Sequence, residues 1–208
     1  MTRARIGVLS LQGDYARHRV SLEALGVEAV RVTLPEHLAG LDALVLPGGE
    51  STTMLRLMAV NGLRAPLERF VRTRPVMGTC AGVILLGKES GRLPHPPFGV
   101  LDITVERNAY GRQIDSFTAP LDAPGLGSGI DGVFIRAPRI RRVGRGVQVI
   151  ATLTRAGARA EPVAVRQGHV AGLCFHPELT PDTRFHRWFL ERVAGLALPA
   201  TEGVEVGS

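Results

Sequence analysis

Short apolar segments alternate with helical segments through the first half of the chain, and this alternation restricts the possible folds more than any other feature. Four strand-like runs are predicted at residues 5–10, 27–33, 42–46 and 74–78. Helices are predicted between them or after them, at residues 14–25, from 51 onward, at 65–71 and at 81–88. Continuous apolar strands separated by helices are typical of a parallel sheet covered on both faces. We therefore predict a three-layer α/β fold with a mostly parallel central sheet and helices on both faces.

The second half of the chain is richer in strands. Strand-like runs are predicted at residues 100–107, 117–119, 132–135, 147–153, 162–166 and 170–175, followed by a closing helix at 181–193. Residues 122–132 are rich in glycine and proline and are predicted to form a surface loop. No internal repeat or linker divides the chain, and we predict one domain over residues 1–198 with a flexible tail at 199–208.

The charge of the chain raises the possibility of nucleic-acid binding. The formal net charge is +6, and five arginines between residues 136 and 145 contribute strongly to it. No aromatic residues interleave with this cluster, and no nucleic-acid-binding motif accompanies it. We interpret it as a solvated basic face or as a docking patch for an acidic protein partner.

Location can also be predicted from the sequence. The apolar run at residues 6–11 is too short for the core of a signal peptide, and no run reaches the roughly 20 apolar residues of a membrane span. The two cysteines, Cys80 and Cys174, do not form a disulfide framework. We expect a cytoplasmic protein that does not bind membranes.

Unusual residues follow several of the predicted strands. Gly48 and Gly49 follow the third strand, Cys80 follows the fourth, and His176 follows the strand at 170–175. Ligands bind in open α/β sheets at the carboxyl ends of the strands. These residues are therefore predicted to meet at one edge of the sheet.

Cys80 is the predicted nucleophile. It is the centre of the pentapeptide GTCAG at residues 78–82, between a strand and a helix. A nucleophile framed by glycines in this way occupies a sharp turn that exposes its reactive atom, and the positive end of the following helix favours the thiolate. The alternative is an unreactive cysteine buried in a tight turn, which is how Cys174 is interpreted.

His176 and Glu178 are the predicted base and its orienting partner. In an extended segment, residues two apart point to the same side, so Glu178 can reach one ring nitrogen of His176 while the other faces the thiol. The alternative is a surface turn with both side chains in solvent. His18 and His186 are weaker candidates because they lie on predicted helix faces.

An acyl-transfer site also needs hydrogen-bond donors for an oxyanion. The backbone N–H groups of Gly48 or Gly49 and of Ala81 are the candidates, although the two glycines are equally compatible with a plain turn. The sequence contains no metal-ligand spacing, no phosphate loop and no dinucleotide fingerprint. We predict no metal and no cofactor.

With these residues assembled, the sequence resembles the class I, triad-type glutamine amidotransferases, and within that class the glutaminase subunits of pyridoxal 5′-phosphate synthase. The resemblance runs from residue 6 to about residue 193 and implies a flavodoxin-like core. The motifs that carry it are LQG at 11–13, LPGGESTT at 46–53, GTCAG at 78–82, VERNAYGRQ at 105–113, DSF at 115–117, VFIRAP at 133–138 and FHPELT at 175–180.

The resemblance implies a role for each matched residue. Cys80 would attack the glutamine carboxamide and form a thioester, His176 would act as the base, and Glu178 would orient it. Gln12 would lie near the partner interface and the oxyanion region. The implied contacts to L-glutamine are Gly49, Glu50, Ser51, Arg107, Ile135 and Arg136.

The resemblance also implies a partner. This would be a synthase subunit with a (β/α)₈ barrel, assembled with the glutaminase into a large hetero-oligomer that delivers ammonia internally. The sequence departs from the family at Arg17-His18, where a Glu-His pair is usual. This departure makes one possible partner contact doubtful but does not affect the chemistry.

Three alternatives remain at this level. A glutaminase of the same class feeding imidazole glycerol phosphate synthase would share the triad, but the motifs at 105–113 and 133–138 argue against it. A cysteine hydrolase or protease on a related fold would not transfer ammonia. A catalytically silent binding module would retain only the scaffold.

Overall fold

A computed structural model of the protein describes residues 3–107, 109, 116–155 and 157–199. Most of the predicted motif at 105–113, Asp115 and nearly all of the predicted tail lie outside these residues. The strands, in chain order, are β1 (Arg5–Leu9), β2 (Glu28–Val32), β3 (Ala43–Leu46), β4 (Val76–Thr79), β5 (Gly87–Glu89), β6 (Leu101–Glu106), β7 (Ser116–Leu121), β8 (Ile130–Ile135), β9 (Arg139–Val143), β10 (Gln148–Leu153), β11 (Glu161–Gln167) and β12 (Val170–Leu173). The α-helices are α1 (Tyr15–Glu23), α2 (Ser51–Val60), α3 (Arg64–Thr73), α4 (Ala81–Leu86) and α5 (Arg184–Trp188).

Seven strands form the central sheet, in the order β10-β11-β12-β4-β3-β1-β2. All pairs from β12 to β2 are parallel, and only the β10–β11 and β11–β12 pairs are antiparallel. This confirms the predicted mostly parallel sheet. Two small sheets, β5-β6-β9 and the β7–β8 hairpin, account for the other strands.

The direction in which the chain adds successive strands to the sheet reverses between β1 and β3. The chain passes from β1 through α1 to β2 on one side, whereas it passes from β3 through α2 and α3 to β4 on the other. Crossovers between parallel strands are almost always right-handed, so this reversal places α1 and the α2–α3 pair on opposite faces. A ligand cleft is expected outside the carboxyl ends of the strands at such a switch point.

The sheet and its helices bury one continuous apolar cluster, which extends from Ile6 on β1 to Val193 near the end of the described chain. Close packing within it depends on Gly82 of α4, because an added Cβ would lie 2.0 Å from the carbonyl oxygen of Leu46. The extension of this cluster through both halves of the chain is compatible with one domain over 1–198, which stays a prediction. No helix in the described part of the chain is long and apolar enough to cross a membrane.

Several boundaries differ from the sequence prediction. The helix predicted at 81–88 ends at Leu86, because the next residues form β5 and pair with β6. The closing helix begins at Arg184 instead of 181, and its second half, Phe189–Val193, is a π-helix.

The basic 136–145 region contains a strand that we did not predict. Within β9, Arg139, Arg141 and Arg142 form ion pairs with acidic side chains of the same chain: Glu161, Glu106 and Asp102, respectively. These three positive charges are therefore already paired within the protein.

Candidate active site

One cleft of about 390 Å³ opens at the carboxyl ends of β1, β3, β4 and β12. Every site residue predicted from the sequence lines it. They are Gln12, Gly48, Gly49, Glu50, Ser51, Cys80, Ala81, Arg107, Ile135, Arg136, His176 and Glu178. A larger and shallower depression of about 540 Å³ beside β7 has Asp122 as its only titratable lining residue. The first cleft is therefore the candidate active site, and the roles of its residues remain predictions.

Cys80 lies on a strained turn between β4 and α4. Its φ of 47° is in the left-handed region, which residues other than glycine rarely adopt. The turn is held by a hydrogen bond of 2.8 Å from the Cys80 N–H to the carbonyl of Leu173. The glycine at position 78 is required because a Cβ there would lie 2.5 Å from the backbone of Gly82. Strain of this kind persists where the surrounding structure enforces it, and it is concentrated at functional sites.

His176 and Glu178 form a hydrogen-bonded pair at the same edge. His176 Nδ1 lies 2.8 Å from Glu178 Oε1, and the backbone N–H of His176 donates to the carbonyl of Val133 at 2.8 Å. The segment is not extended as predicted: Glu178 lies in a one-turn 3₁₀ helix, Pro177–Leu179, which begins directly after His176. The turn still brings the carboxylate to the ring.

The charge state of His176 follows from these contacts. Burial lowers its pKa, but hydrogen bonds and charge interactions with Cys80 and Glu178 raise the pKa to about 10. Burial raises the pKa of Glu178, but His18 and His176 lower it, and its net shift is downward. His176 therefore carries a proton at neutral pH beside an ionised Glu178.

Gly48 forms the wall against which the His176 ring packs. A Cβ at position 48 would lie 2.3 Å from His176 Cε1, so Gly48→Ala is expected to displace the ring. We expect kcat to fall by about 10²–10³-fold, because displacing a catalytic group by about 1 Å has an effect of this size. Gly87→Ala is the control, because its Cβ would come no closer than 3.2 Å to other atoms. Equal kcat values for the two variants, both folded by circular dichroism, would contradict the prediction.

The loops after β1 and β3 are interlocked. The backbone N–H of Glu50 donates to Gln12 Oε1 at 3.1 Å, and a Cβ at Gly13 would lie 1.9 Å from the carbonyl oxygen of Gly48. Gly49, with φ of 144°, has a conformation that side-chain-bearing residues rarely adopt. Gln12 therefore contacts the segment that was predicted to supply an oxyanion donor.

Glu50 caps α2. Its carboxylate accepts hydrogen bonds from the backbone N–H groups of Thr52 and Thr53, at 3.1 and 2.7 Å. Burial raises the pKa of Glu50, but the hydrogen bonds from Thr53 and Thr52 lower it to about 2. Arg107 Nη2 lies 3.3 Å from the same carboxylate, so Glu50 orients Arg107 at the cleft as well as capping the helix.

Arg136 is the second residue of the cleft with an unusual backbone. Among the described residues, only Cys80 and Arg136 combine a side chain with a positive φ, and the φ of Arg136 is 42°. It follows β8 directly, and its side chain is exposed at the cleft. Ile135 is in contact with the predicted nucleophile through its carbonyl oxygen, 3.9 Å from Cys80 Sγ.

Two buried histidines behind the cleft were underestimated from the sequence. His18 Nε2 lies 3.4 Å from Glu178 Oε2, and His18 Nδ1 lies 3.0 Å from His186 Nε2. Both histidine side chains are fully buried. The feature of the sequence that could have identified them is a polar histidine on a face of a predicted helix that packs toward the core, since a buried polar side chain normally has a hydrogen-bonding partner.

Comparison with solved structures defines the class of this fold and cleft. A crystal structure described as a glutamine amidotransferase superposes with a TM-score of 0.83 at 50% sequence identity, covering 92% of this chain and 99% of that chain. A PurLQS structure from Thermotoga maritima has a TM-score of 0.64 at 18% identity and supports the fold alone. The architecture is that of the class I glutamine amidotransferases.

The sequence comparisons identify the family. A model of the SNO glutamine amidotransferase family matches residues 8–195. The pyridoxal 5′-phosphate synthase subunit PdxT of Geobacillus kaustophilus is 52% identical over 190 residues, covering 91% of this chain and 94% of that protein. PdxT of Deinococcus radiodurans is 53% identical over 191 residues, covering 89% and 95%. The chain belongs to the SNO glutamine amidotransferase family.

Proposed function

We propose that this chain is the glutaminase subunit of a pyridoxal 5′-phosphate synthase, in which it hydrolyses L-glutamine to L-glutamate and supplies the ammonia to the synthase subunit. The observation that carries the proposal is the strained Cys80 turn in the same cleft as the His176–Glu178 pair. Family membership and the PdxT relatives support the substrate and the pathway.

In the proposed mechanism, Cys80 attacks the carboxamide carbon of glutamine as a thiolate, beside the protonated His176. The protonated His176 gives its proton to the departing nitrogen, the C–N bond breaks, and ammonia leaves behind a thioester. Neutral His176 then removes a proton from water, which attacks the thioester and releases glutamate. The C–S bond breaks, the proton taken from water stays on His176, and the thiolate–imidazolium pair is restored; Glu178 stabilises the positive charge whenever His176 is protonated.

Binding of the free amino acid is assigned to the other side of the cleft. Arg107 and Arg136 offer guanidinium groups that suit the α-carboxylate of glutamine. Gly49, Glu50, Ser51 and Ile135 complete the substrate contacts predicted from the family. Since the Glu50 carboxylate already accepts several hydrogen bonds, we assign it the role of ordering the turn and holding Arg107.

The oxyanion of the tetrahedral intermediate is assigned to backbone donors of Ala81 and of the Gly48–Gly49 segment. Ala81 is the first residue of α4, where N–H groups lack partners within the helix. The hydrogen bond of Gln12 to Glu50 connects the loop after β1 to this segment. A partner that docks at Gln12 can therefore change the geometry of the oxyanion site.

The partner is proposed to be a (β/α)₈-barrel synthase subunit, and the assembly a cytoplasmic hetero-oligomer. The name of the relatives, a synthase subunit, supports a second component. Delivery of ammonia inside the complex, from the glutaminase to the synthase subunit, is chemically sensible because ammonia in neutral water is mostly protonated and is then not nucleophilic.

The direct test measures glutamate and ammonia released from L-glutamine by the chain, with and without its synthase subunit. We expect hydrolysis that increases on addition of the synthase, together with ammonia-dependent formation of pyridoxal 5′-phosphate by the mixture. Hydrolysis of esters or peptides in preference to glutamine would favour the cysteine hydrolase alternative. Absence of any turnover in a verified complex would favour a silent binding module and contradict the proposal.

A further inference from the structure

The carboxylate of Glu178 lies between two histidines, and a third histidine lies behind one of them. Its Oε1 atom is 2.8 Å from His176 Nδ1, and its Oε2 atom is 3.4 Å from His18 Nε2. His18 Nδ1 is in turn 3.0 Å from His186 Nε2. Glu178 is 4% exposed, and His18 and His186 are fully buried. The row of side chains therefore continues the predicted triad from the cleft into the core.

The hydrogen positions along this row follow from the charge at one end. An ionised carboxylate accepts hydrogen bonds but cannot donate, and Glu178 Oε2 is buried with no hydrogen-bond partner among the described residues, so the arrangement that suits it has hydrogen on His18 Nε2. In neutral His18 the other nitrogen, Nδ1, is then unprotonated and must accept from His186 Nε2. The opposite arrangement would point a lone pair of His18 at the carboxylate. All N–H groups in the row thus point toward Glu178.

Both inner histidines are neutral in this arrangement. Burial lowers the pKa of His18, and the charge of His176 lowers it further, while Glu178 and Asp14 act in the opposite direction. Burial lowers the pKa of His186 to about 3, together with the repulsion that a protonated His18 would exert, against the opposing charges of Glu178 and Asp182. Glu178 therefore has a neutral imidazole 3.4 Å from its inner oxygen, which has no hydrogen-bond partner among the described residues, and no second positive charge competes with His176.

Helices α1 and α5 and the turn at Cys80 hold this row of side chains in place. His18 lies on α1 and His186 on α5, so the carboxylate of Glu178 is fixed by elements from opposite ends of the chain. The hydroxyl of Thr79, the residue before Cys80, lies 3.4 Å from His18 Nε2. His18 thereby contacts both the turn that holds the sulfur and the carboxylate that holds the base.

We propose that His18 and His186 are positioning residues for the glutaminase reaction: His18 presents its Nε2–H group to the buried and otherwise unpartnered Glu178 Oε2 at 3.4 Å, and His186 holds His18 in the tautomer that can do so. The inference rests on the proposed function, since it assigns His18 and His186 their roles through Glu178 and His176. Neither residue is among those that line the cleft.

Two substitutions at position 18 separate this role from simple core packing. In His18→Gln the amide nitrogen reaches the position of histidine Nε2, so the donor toward Glu178 is kept. In His18→Asn the shorter side chain reaches only the position of Nδ1, so the contact with His186 is kept and the donor toward Glu178 is lost. Ser21→Ala, a buried polar position on the same helix, is the control for loss of stability alone.

The first measurement is the rate of alkylation of Cys80 by iodoacetamide against pH, with the site of labelling identified by mass spectrometry. Loss of the donor raises the pKa of Glu178, because a hydrogen bond to a carboxylate favours its charged form. Glu178 is then protonated at higher pH and no longer supports the imidazolium of His176. We expect the midpoint of the alkylation profile to move upward by about one pH unit in His18→Asn and to stay near wild type in His18→Gln and Ser21→Ala.

The second measurement is glutamine hydrolysis in the complex with the synthase subunit. His18→Asn is expected to lower kcat by about 10- to 100-fold, to leave KM nearly unchanged and to move the acid limb of the pH profile upward. His18→Gln is expected to restore most of the rate, and His186→Leu to cause a smaller loss in the same direction.

The two measurements distinguish the possible failures. If wild type hydrolyses glutamine but His18→Asn and His18→Gln have the same alkylation profile and kcat, the positioning role is wrong and the proposed function stands. If wild type does not hydrolyse glutamine, the proposed function fails, and the alkylation profiles alone decide whether His18 controls the Cys80–His176 pair.

Discussion

Replacement of Cys80 by alanine is expected to lower kcat for glutamine hydrolysis by at least about 10⁴-fold, measured as glutamate formed in the presence of the synthase subunit. The sulfur is the only nucleophilic atom that the proposed mechanism provides for the carboxamide carbon. Alanine also has a Cβ, so the backbone strain at φ of 47° is the same in the variant and wild type. The fold and the binding of glutamine are therefore expected to persist.

Cys174→Ala is the matched control for this variant. Cys174 is fully buried, and burial raises the pKa of its thiol, so it is unreactive at neutral pH. The control removes the other thiol of the chain at a cost of a small cavity and is expected to keep kcat within about twofold. An electrophilic glutamine analogue should label wild type and Cys174→Ala, but not Cys80→Ala. Residual activity of Cys80→Ala near that of wild type would exclude the thioester mechanism.

The sequence was sufficient to predict where the cleft would form. Cys80 and the Gly48–Gly49 pair each follow an apolar strand, and parallel strands direct their carboxyl ends to the same edge of a sheet. His176 follows β12, which pairs with β4 in parallel register, from Val170↔Val76 to Leu173↔Thr79. The register of these two strands therefore fixes the approach of His176 to Cys80, whereas the prediction depended only on parallel strands that end at the same edge of the sheet.

Features that depend on tertiary contacts were not predicted. Glu50 caps α2 because its longer side chain curls back to the N–H groups of Thr52 and Thr53, while the better capping residue by preference, Ser51, is buried at 2% exposure. The strand β9 contains three arginines, and its pairing depends on acidic residues that are distant in sequence. A local pattern does not contain this information.

The role of His18 illustrates the same limit within the site. Its side chain lies 168 residues from His186 along the chain, yet their ring nitrogens are 3.0 Å apart. The sequence places both residues on helices and gives no reason to pair them. Their burial beside Glu178 is a consequence of how α1 and α5 pack, so it could be recognised only in three dimensions.

Replacement of Glu178 by glutamine is the second change with a very large expected effect. The two carboxylate oxygens face His176 and His18, each through a ring nitrogen that carries hydrogen in the proposed arrangement. An amide has only one oxygen, so its NH₂ group must face one of the two histidines. This places two N–H donors against each other, with no acceptor between them. The variant also removes the negative charge that helps to raise the pKa of His176 to about 10.

We expect Glu178→Gln to lower kcat by about 10³–10⁴-fold, by analogy with loss of the orienting carboxylate in other nucleophile–histidine triads. The pKa of His176 falls in the variant, so less of it is protonated at neutral pH, and alkylation of Cys80 by iodoacetamide should require higher pH. Glu161→Gln is the matched control, since Glu161 is also a buried glutamate, at 8% exposure, but pairs with Arg139 away from the cleft. The control is expected to lose thermal stability and to keep kcat. If both variants lose the same activity in proportion to their stability, Glu178 acts only in folding, and the triad assignment must be reduced to Cys80 and His176.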